Sequence, residues 1–519
     1  MSDATPQARP FRRRVLVNTA ATGVGNLWAM VVTLVSLPLL LHGLGADAFG
    51  VWVLLQTFSA VTGWFSLADL GVGTATTREV AARAALDDHR GVSRTVSSSL
   101  TLFVVLGLAC AGLLATLGHR WLPTVFGTPD DLVADLRTAI LLFSVQVVLD
   151  LLTMGAEAAL EGLQRVDLSR AVDAFRRTAA AAAVSVAALA GAGLRGVAVV
   201  SLGSAVAGTV LAAAVLRRHL RAPTTSPSGT EMRSLLAYGR TMAVLRPFGV
   251  IHRSMDRLVV GVILGPAPVA LVEVATQVQN GADAVLSASS YAVIPSASWL
   301  RARGDSSRLR ELLELGTKYS LLATLPFVVA PALLAGPLVR TWVGSGNGSA
   351  AGLAVVALAY VGLTAPVQVG SDLLVGVGNA GAVLRAAALA VAINLVASIV
   401  LVLALGTVGA FLGTLVGTAF LVVPLGRSML RQVDCGIGAF ARRSLRPVLG
   451  PTVALTALVG AVLLAPLSDV ATLVVGTVLG FAGYSAVALR WSMGSGELRG
   501  LKQAMAGQPE AASVAVATG

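Results

Sequence analysis

The chain consists of long apolar blocks separated by short basic segments. Hydrophobic residues make up 55% and charged residues only 12% of its 519 residues, whereas a soluble domain carries about 25% charged residues. Because a bilayer span needs about 20 consecutive apolar residues, the blocks predict an all-α polytopic membrane protein with about fourteen spans. We place spans 1–14 at 15–42, 49–72, 93–118, 133–163, 169–191, 195–216, 235–264, 267–297, 314–338, 350–376, 382–405, 407–427, 447–466 and 470–491.

The basic residues predict how the spans are oriented. The net charge is +12, and the Arg clusters fall on alternate loops, as the positive-inside rule requires of cytoplasmic loops. We therefore predict a multi-pass protein of the cytoplasmic membrane with both termini in the cytoplasm. Cys110 and Cys435 offer no metal-binding spacing, and neither a metal nor a cofactor is expected.

The order of the spans predicts five segments. A linker rich in Pro, Ser and Thr separates an N-terminal lobe of six spans from a C-terminal lobe of six, and two further spans and a disordered tail follow. The segments are 1–216, 217–234, 235–430, 431–494 and 495–519. A shift of 220 residues aligns Leu44-Gly45 with Leu264-Gly265 and matches the loop order of the two lobes, which indicates a parallel internal repeat.

Span 7 carries a row of cations. Arg246, Arg253 and Arg257 are separated by steps of seven and four residues, which place them on one helical face. Charged groups at membrane depth are costly and are functional candidates by default. Since guanidinium groups bind phosphate oxygens well, this face is predicted to bind a diphosphate. Asp256 lies beside Arg253 and Arg257; it fits a local ion pair and is also a candidate for gating or ion coupling.

Span 4 carries a matching row of acids, Asp150, Glu157 and Glu161, with the same steps. Together with Asp283 of span 8 they are candidates for gating or ion coupling. Two alternatives remain open. The acidic and cationic faces can pair to hold helices together, and the outermost side chains can extend to the membrane interface.

Polar side chains also line spans 1 and 8. Asn26 belongs to a stripe on span 1, and Gln277 and Asn280 belong to one on span 8. Such stripes either line water or join helices. We predict that these three residues border a cavity.

Several short motifs resemble those of the polysaccharide biosynthesis and export flippases, of the O-antigen flippase type. They are Pro38-Leu39-Leu40-Leu41-His42-Gly43-Leu44-Gly45 with Phe49-Gly50-Val51-Trp52, Asp69-Leu70-Gly71-Val72-Gly73, Glu161-Gly162-Leu163-Gln164-Arg165, Asp256-Arg257 with Gly261, and Ile294-Pro295 with Arg301 and Gly304-Asp305. The resemblance covers about residues 12–430. That family belongs to the multidrug/oligosaccharidyl-lipid/polysaccharide (MOP) exporter superfamily.

The resemblance implies two six-helix lobes around a cavity and alternating access. The implied cargo is a polyprenyl-diphosphate-linked oligosaccharide for cell-surface polysaccharide biosynthesis. Membrane lipids, a coupling H⁺ or Na⁺, and a polymerase or glycosyltransferases are the expected partners. A lipid II-type flippase and an ion-coupled drug or metabolite exporter are the alternatives. Since the outer loops are too short for the catalytic loop of a membrane glycosyltransferase, and no nucleotide-binding loop occurs, we do not expect an enzyme.

Overall fold

The computed structural model describes the backbone of residues 8–223, 225–243 and 246–493, and their side chains except those of 8–27, 240–243, 246–249, 252 and 253. Every regular element in these ranges is helical, which confirms the predicted all-α class. The predicted disordered tail lies outside the described residues.

The helices are α1 (Ala8–Gln56), α2 (Val72–Ala85), α3 (His89–Leu113), α4 (His119–Val125), α5 (Asp130–Gly162), α6 (Val166–Leu189), α7 (Gly193–His219), α8 (Gly229–Ala243), α9 (Arg246–Leu264), α10 (Pro266–Ser290), α11 (Val293–Ala302), α12 (Ser306–Leu333), α13 (Ala335–Val343), α14 (Ser349–Gly376), α15 (Ala380–Leu405), α16 (Thr407–Gln432), α17 (Ile437–Phe440), α18 (Arg446–Leu463) and α19 (Asp469–Val487). Short π-helical segments follow α3, α17 and α19 at Leu114–Gly118, Ala441–Leu445 and Ala488–Ser492.

Ten helical stretches in the described part of the chain are long and apolar enough to cross a membrane. They correspond to predicted spans 1, 3, 4, 6 and 9–14. Spans 5, 7 and 8 fall short because charged and amide side chains lower their hydropathy, and span 2 is interrupted. The membrane class is therefore confirmed, and the count of fourteen stays a prediction.

Predicted span 2 is broken into several pieces. α1 crosses Gly45, whose φ of 76° and ψ of 169° are not helical, and a 3₁₀ helix, Trp64–Asp69, precedes α2. Gly71 has a φ of 77°, and a Cβ there would lie 2.4 Å from the Gly239 carbonyl oxygen. Only glycine suits both the left-handed backbone and this close approach, so the Asp-Leu-Gly motif marks a break between helices.

The chain forms two compact units, residues 1–273 (unit 1) and 274–519 (unit 2); the predicted division into lobes and linker stays a prediction. In unit 1 the segment after α7 is tied to α2 and α3. The Ser93 hydroxyl donates to the Pro223 carbonyl at 2.7 Å, and the Arg83 guanidinium contacts Glu231 at 2.6 Å. This part of the predicted linker therefore has fixed contacts.

In unit 2, α15 and α16 pack through small and neutral polar residues. A Cβ on Gly413 or Gly417 would collide with the α15 backbone near Ser398 or Ala390. The Asn394 amide oxygen of α15 accepts a hydrogen bond from the Thr414 hydroxyl of α16 at 3.3 Å. Close approach of small residues and neutral hydrogen bonds are the usual means of joining membrane helices.

In unit 2, side chains of the last helical segments donate hydrogen bonds to carbonyls that prolines leave without an amide donor. In α12 the Leu322 carbonyl has no amide donor four residues later, because that residue is Pro326; the Tyr484 hydroxyl of α19 donates to it at 3.0 Å. Pro451 leaves the Pro447 carbonyl of α18 in the same situation, and the Ser492 hydroxyl donates to it at 2.5 Å. α19 and the π-helical segment that follows it thus supply hydrogen bonds that two proline-containing helices cannot make internally.

Ion pairs hold the same region at further points. Glu314 of α12 is buried and accepts a hydrogen bond from Arg443 at 2.8 Å. At the start of α19, Asp469 forms a two-bond pair with Arg340 at 2.6 and 2.8 Å. The two helices that follow α17 are therefore docked on α12 and α13.

Candidate functional site

Asp150, near the middle of α5, has a cationic partner inside the protein. Its side chain is 4% exposed. Oδ1 lies 3.2 Å from Nη1 of Arg176 on α6, and Oδ2 accepts a hydrogen bond from the Gln146 amide at 3.4 Å. The sequence identified Asp150 but not its partner.

Arg176 connects Asp150 to a second carboxylate. Its Nη2 lies 3.1 Å from Asp173, which also accepts two hydrogen bonds from Arg177 at 2.9 and 2.8 Å. At the start of α6, the Arg165 guanidinium bonded to Asp167 holds the pKa of that carboxyl below its usual range. α5 and α6 are therefore joined by a row of ion pairs, the α5–α6 network.

The other two acids of α5 differ in their surroundings. Glu161 lies 3.3 Å from Nη2 of Arg170 and accepts a hydrogen bond from the Ser169 hydroxyl at 3.3 Å. Glu157 has no ion pair among the described residues, and its buried Oε1 accepts no hydrogen bond from them. A buried carboxylate oxygen without a partner is energetically costly. Of the three acids, Glu157 is therefore the one whose protonation depends most on a ligand or ion that comes next to it.

A cavity of about 420 Å³ lies beside Glu157 within unit 1. Its lining comes from the segment around the start of α2 and from α5, namely Asp69, Gly73, Thr74, Thr77, Arg78, Met154, Glu157, Ala158 and Glu161. The Arg78 guanidinium lies 4.5 Å from the centre of the Tyr238 ring. With three carboxylates against one guanidinium, the wall favours ligands that carry positive charge or donate hydrogen bonds.

Of the three arginines on the cationic face of α9, the structure describes the side chain of Arg257. Arg257 Nε lies 2.7 Å from Glu273 Oε2 on α10, and the two side chains are 20% and 12% exposed. The side chains of Arg246 and Arg253 lie outside the described residues. In the described part of the chain, Asp150 and Glu161 of α5 pair with arginines of α6 and Arg257 pairs with Glu273, so the predicted pairing of the two charged faces is not seen there.

The remaining predicted residues lie on α1, α9 and α10. On α10, the Asn280 amide donates to the Gln277 oxygen at 3.3 Å. Asp256 and Asp283 are half-buried and each has an interaction partner. The side chain of Asn26 lies outside the described residues. No group of three His, Cys, Asp or Glu side chains suited to a metal occurs among the described residues.

The sequence analysis did not identify two features of this region, the charged residues of α6 and a repeated Gln–Asp segment. Asp173 and Arg176 were detectable, because predicted span 5 begins with four charged residues inside the apolar block. A repeated segment was also detectable: Val145-Gln146-Val147 and Asp150-Leu151-Leu152 in α5 recur as Val367-Gln368-Val369 and Asp372-Leu373-Leu374 in α14. Gln368 donates to Asp372 at 3.2 Å, as Gln146 does to Asp150.

A family model described as "Polysaccharide biosynthesis protein" matches residues 19–350, more than half of the chain. No curated protein matches the chain.

Solved structures share its fold. A lipid II flippase, MurJ, in an inward closed conformation is 14% identical, with a TM-score of 0.66, over 91% of this chain and 98% of that one. An inward-facing multidrug resistance MATE family transporter of the MOP superfamily is 17% identical, with a TM-score of 0.65, over 80% of this chain and 96% of that one.

Proposed function

We propose, from the premise that this chain belongs to the polysaccharide biosynthesis protein family of the MOP superfamily, that it flips a polyprenyl-diphosphate-linked oligosaccharide across the cytoplasmic membrane. The chain is a multi-pass membrane protein of a transporter and flippase superfamily. The observation that carries the proposal is the family match over more than half of the chain. The flipped glycan would supply cell-surface polysaccharide biosynthesis, with both termini of the protein in the cytoplasm.

The cationic face of α9 is our proposed site for the diphosphate. Arg257 contacts the Glu273 carboxylate, and a phosphate oxygen can replace a carboxylate oxygen on a guanidinium group because both accept its paired N–H donors. Arg246 and Arg253 would extend the site along the helix. Asn26, Gln277 and Asn280 would then bond sugar hydroxyls, because amides both donate and accept hydrogen bonds.

For gating or ion coupling we propose Glu157 before the other acids. Asp150 and Glu161 have arginine partners, whereas Glu157 Oε1 accepts no bond from the described residues and its side chain lines the cavity. Protonation or a bound cation would remove the cost of its buried charge. Asp256 and Asp283 remain proposed members of the same group. The chemistry is transport by alternating access, with a polymerase or glycosyltransferases acting before or after it.

Two other cargoes are supported by specific observations. The fold likeness to a lipid II flippase favours a peptidoglycan precursor. The likeness to a MATE transporter, together with the acid-lined cavity, favours an exporter of small organic cations. Both proteins are less than 25% identical to this chain, so their cargoes do not transfer with the fold.

Reconstitution of the full-length chain in liposomes separates these cargoes. Fluorescent polyprenyl-diphosphate oligosaccharide, lipid II and a cationic dye are each loaded on one side, and appearance on the other side is scored with a membrane-impermeant probe. We expect protein-dependent movement of the oligosaccharide. Movement of lipid II alone or of the dye alone would overturn the proposal and identify the corresponding alternative.

A variant pair tests the proposed diphosphate site. Arg257→Gln should reduce oligosaccharide translocation at least tenfold, the loss expected when one charge-assisted contact to a phosphate disappears. Arg308→Gln is the matched control, because the Arg308 side chain is 56% exposed and pairs with nearby Asp305 at 3.5 Å. Equal rates in the two variants would remove Arg257 from the cargo site.

A further inference from the structure

Five exposed arginines lie at one end of unit 1, around the segment that connects α7 to α8. They stand in the first two turns of α3, in the last turn of α7 and in the segment itself, and are Arg90, Arg94, Arg217, Arg218 and Arg221. None of them forms an ion pair with a described residue. We propose that this surface, the α3–α7 platform, binds the headgroups of anionic phospholipids. This lipid site goes beyond the proposed function and does not depend on the cargo.

Hydrogen bonds hold the connecting segment against α3. The Ser93 hydroxyl donates to the Pro223 carbonyl at 2.7 Å, and the Ser228 amide donates to the Ser98 hydroxyl at 2.9 Å. The first of these bonds places Arg221, two residues before the proline, beside the start of α3. The arginine of the connecting segment is therefore held at the same surface as those of α3.

Apolar packing brings the end of α7 to the same place. Leu216 belongs to one buried cluster with Val92 and Val96 of α3, and Leu220 packs against that cluster. Leu216 directly precedes the arginine pair in the last turn of α7. The positive groups of α3 and α7 therefore gather at one surface when unit 1 folds, and this common placement lowers the cost of binding a single anionic partner.

The acids beside the platform do not balance its charge. Asp87 and Asp88 lie just before α3, and the Asp88 carboxylate already accepts a hydrogen bond from the Gly91 amide at 2.8 Å. Glu231 at the start of α8 lies 2.6 Å from Arg83 and is neutralised there. Five arginines against two aspartates leave a surplus of three positive charges, which favours an anionic partner.

The position of the platform favours a lipid over a soluble partner. α3 and α7 both belong to stretches that are long and apolar enough to cross a membrane, and the platform stands at the ends predicted to face the cytoplasm. Basic clusters next to membrane spans attract anionic headgroups, and guanidinium groups bind phosphate oxygens through paired N–H donors. Leu86 is 81% exposed and lies four residues before Arg90, which suits the boundary between headgroups and acyl chains.

The test is photo-cross-linking of the purified full-length chain in phosphatidylcholine vesicles that contain a photoactivatable phosphatidylglycerol or a photoactivatable phosphatidylcholine. Mass spectrometry after pepsin digestion measures labelling of residues 86–94 and 217–223. We expect the phosphatidylglycerol probe to label them at least about fivefold more, the factor that one arginine near an anionic membrane surface provides. Arg217→Gln/Arg218→Gln/Arg221→Gln should bring the ratio of the two probes close to one.

Two further variants make the test specific. Arg301→Gln/Arg303→Gln/Arg308→Gln removes three exposed arginines of unit 2 and should keep the ratio of the wild type. Arg90→Gln/Arg94→Gln covers the case in which the triple variant of the platform fails to fold, and it should lower the ratio at least twofold.

Three results would overturn the proposal. They are equal labelling by the two probes in the wild type, an equal loss of the ratio in the unit 2 control and in the platform variants, and displacement of the probe by a soluble polyglutamate peptide but not by unlabelled phosphatidylglycerol. The last result would identify an acidic protein segment as the partner. Because the vesicles contain no cargo, these outcomes are separate from success or failure of glycan translocation.

Discussion

α5 in unit 1 and α14 in unit 2 both place a Gln and an Asp one helical turn apart, but among the described residues only the Asp of α5 forms an ion pair with an arginine. Arg176 lies 3.2 Å from Asp150 and 3.1 Å from Asp173. In unit 2, α15 and α16 are joined instead by neutral groups, such as the Thr414 hydroxyl that donates to the Asn394 amide oxygen at 3.3 Å. The carboxylate of the repeated segment is thus neutralised by an arginine in unit 1, whereas in unit 2 its described partners are neutral.

This difference shows how to separate structural charges from functional ones in a membrane protein. A buried ion pair satisfies its own charges, and losing one member leaves the other uncompensated. A membrane carboxylate that forms no ion pair among the described residues, such as Glu157 or Asp372, is the stronger functional candidate. The presence of an acid in a span is therefore less informative than the identity of its partner.

The largest expected effect comes from breaking the α5–α6 network. Arg176→Leu should destabilise the protein by about 3–5 kcal/mol, because Asp150 is left buried without a cation. The double variant Asp150→Asn/Arg176→Leu should recover most of that loss. Equilibrium unfolding in bicelles measures both, and equal instability of the single and double variants would show that the pair does not compensate charge.

Glu157→Gln should change stability less than Arg176→Leu does, and its main effect should be on translocation. Replacing an unpartnered carboxylate by a neutral amide should leave stability unchanged or slightly raised, because the buried charge is removed. Translocation should fall about tenfold, the factor that corresponds to about 1.4 kcal/mol. Parallel unfolding and liposome assays check this, and a variant that unfolds readily but transports normally would place Glu157 in the scaffold.

The neutral bonds of unit 2 should contribute less than the charges of unit 1. Tyr484→Phe should cost about 0.6–1.7 kcal/mol, the measured range for hydrogen bonds between membrane helices. In a Pro326→Ala background that cost should shrink, because the amide of residue 326 can then bond the Leu322 carbonyl.

Tyr291→Phe is the control for this cycle, since Tyr291 is 81% exposed. An unchanged cost of Tyr484→Phe in the two backgrounds would mean that the tyrosine does not compensate for the proline. Unfolding in bicelles gives all four values.

Asp372→Asn should have the smallest effect on stability. The new amide oxygen can still accept hydrogen bonds from Gln368 and Ser290, and no described cation is left unpaired, so the change should stay within about 0.5 kcal/mol. Unfolding in bicelles measures it. A loss as large as that of Arg176→Leu would reveal a cationic partner and would contradict the contrast between the two units.

Much of the fold was predictable because hydropathy reports directly on membrane spans. The interruption of span 2 was not, since it depends on the contact between Gly71 and Gly239, which lie far apart in sequence. In the site, helical periodicity found Asp150, Glu157 and Glu161 on α5. It could not reveal that, of these three, Glu157 is the one that forms no ion pair among the described residues, because partner choice is set by packing between helices.

The most direct test of the account is the initial rate of polyprenyl-diphosphate oligosaccharide translocation in liposomes for three proteins. They are the wild type, the neutral pair Asp150→Asn/Arg176→Leu, and Glu157→Gln. We predict that the first two translocate the glycan at similar rates and that the third is about tenfold slower, because the pair is structural and the Glu157 carboxylate works in the cycle. A wild-type rate equal to that of protein-free liposomes, or loss in the neutral pair with full activity in Glu157→Gln, would contradict the account.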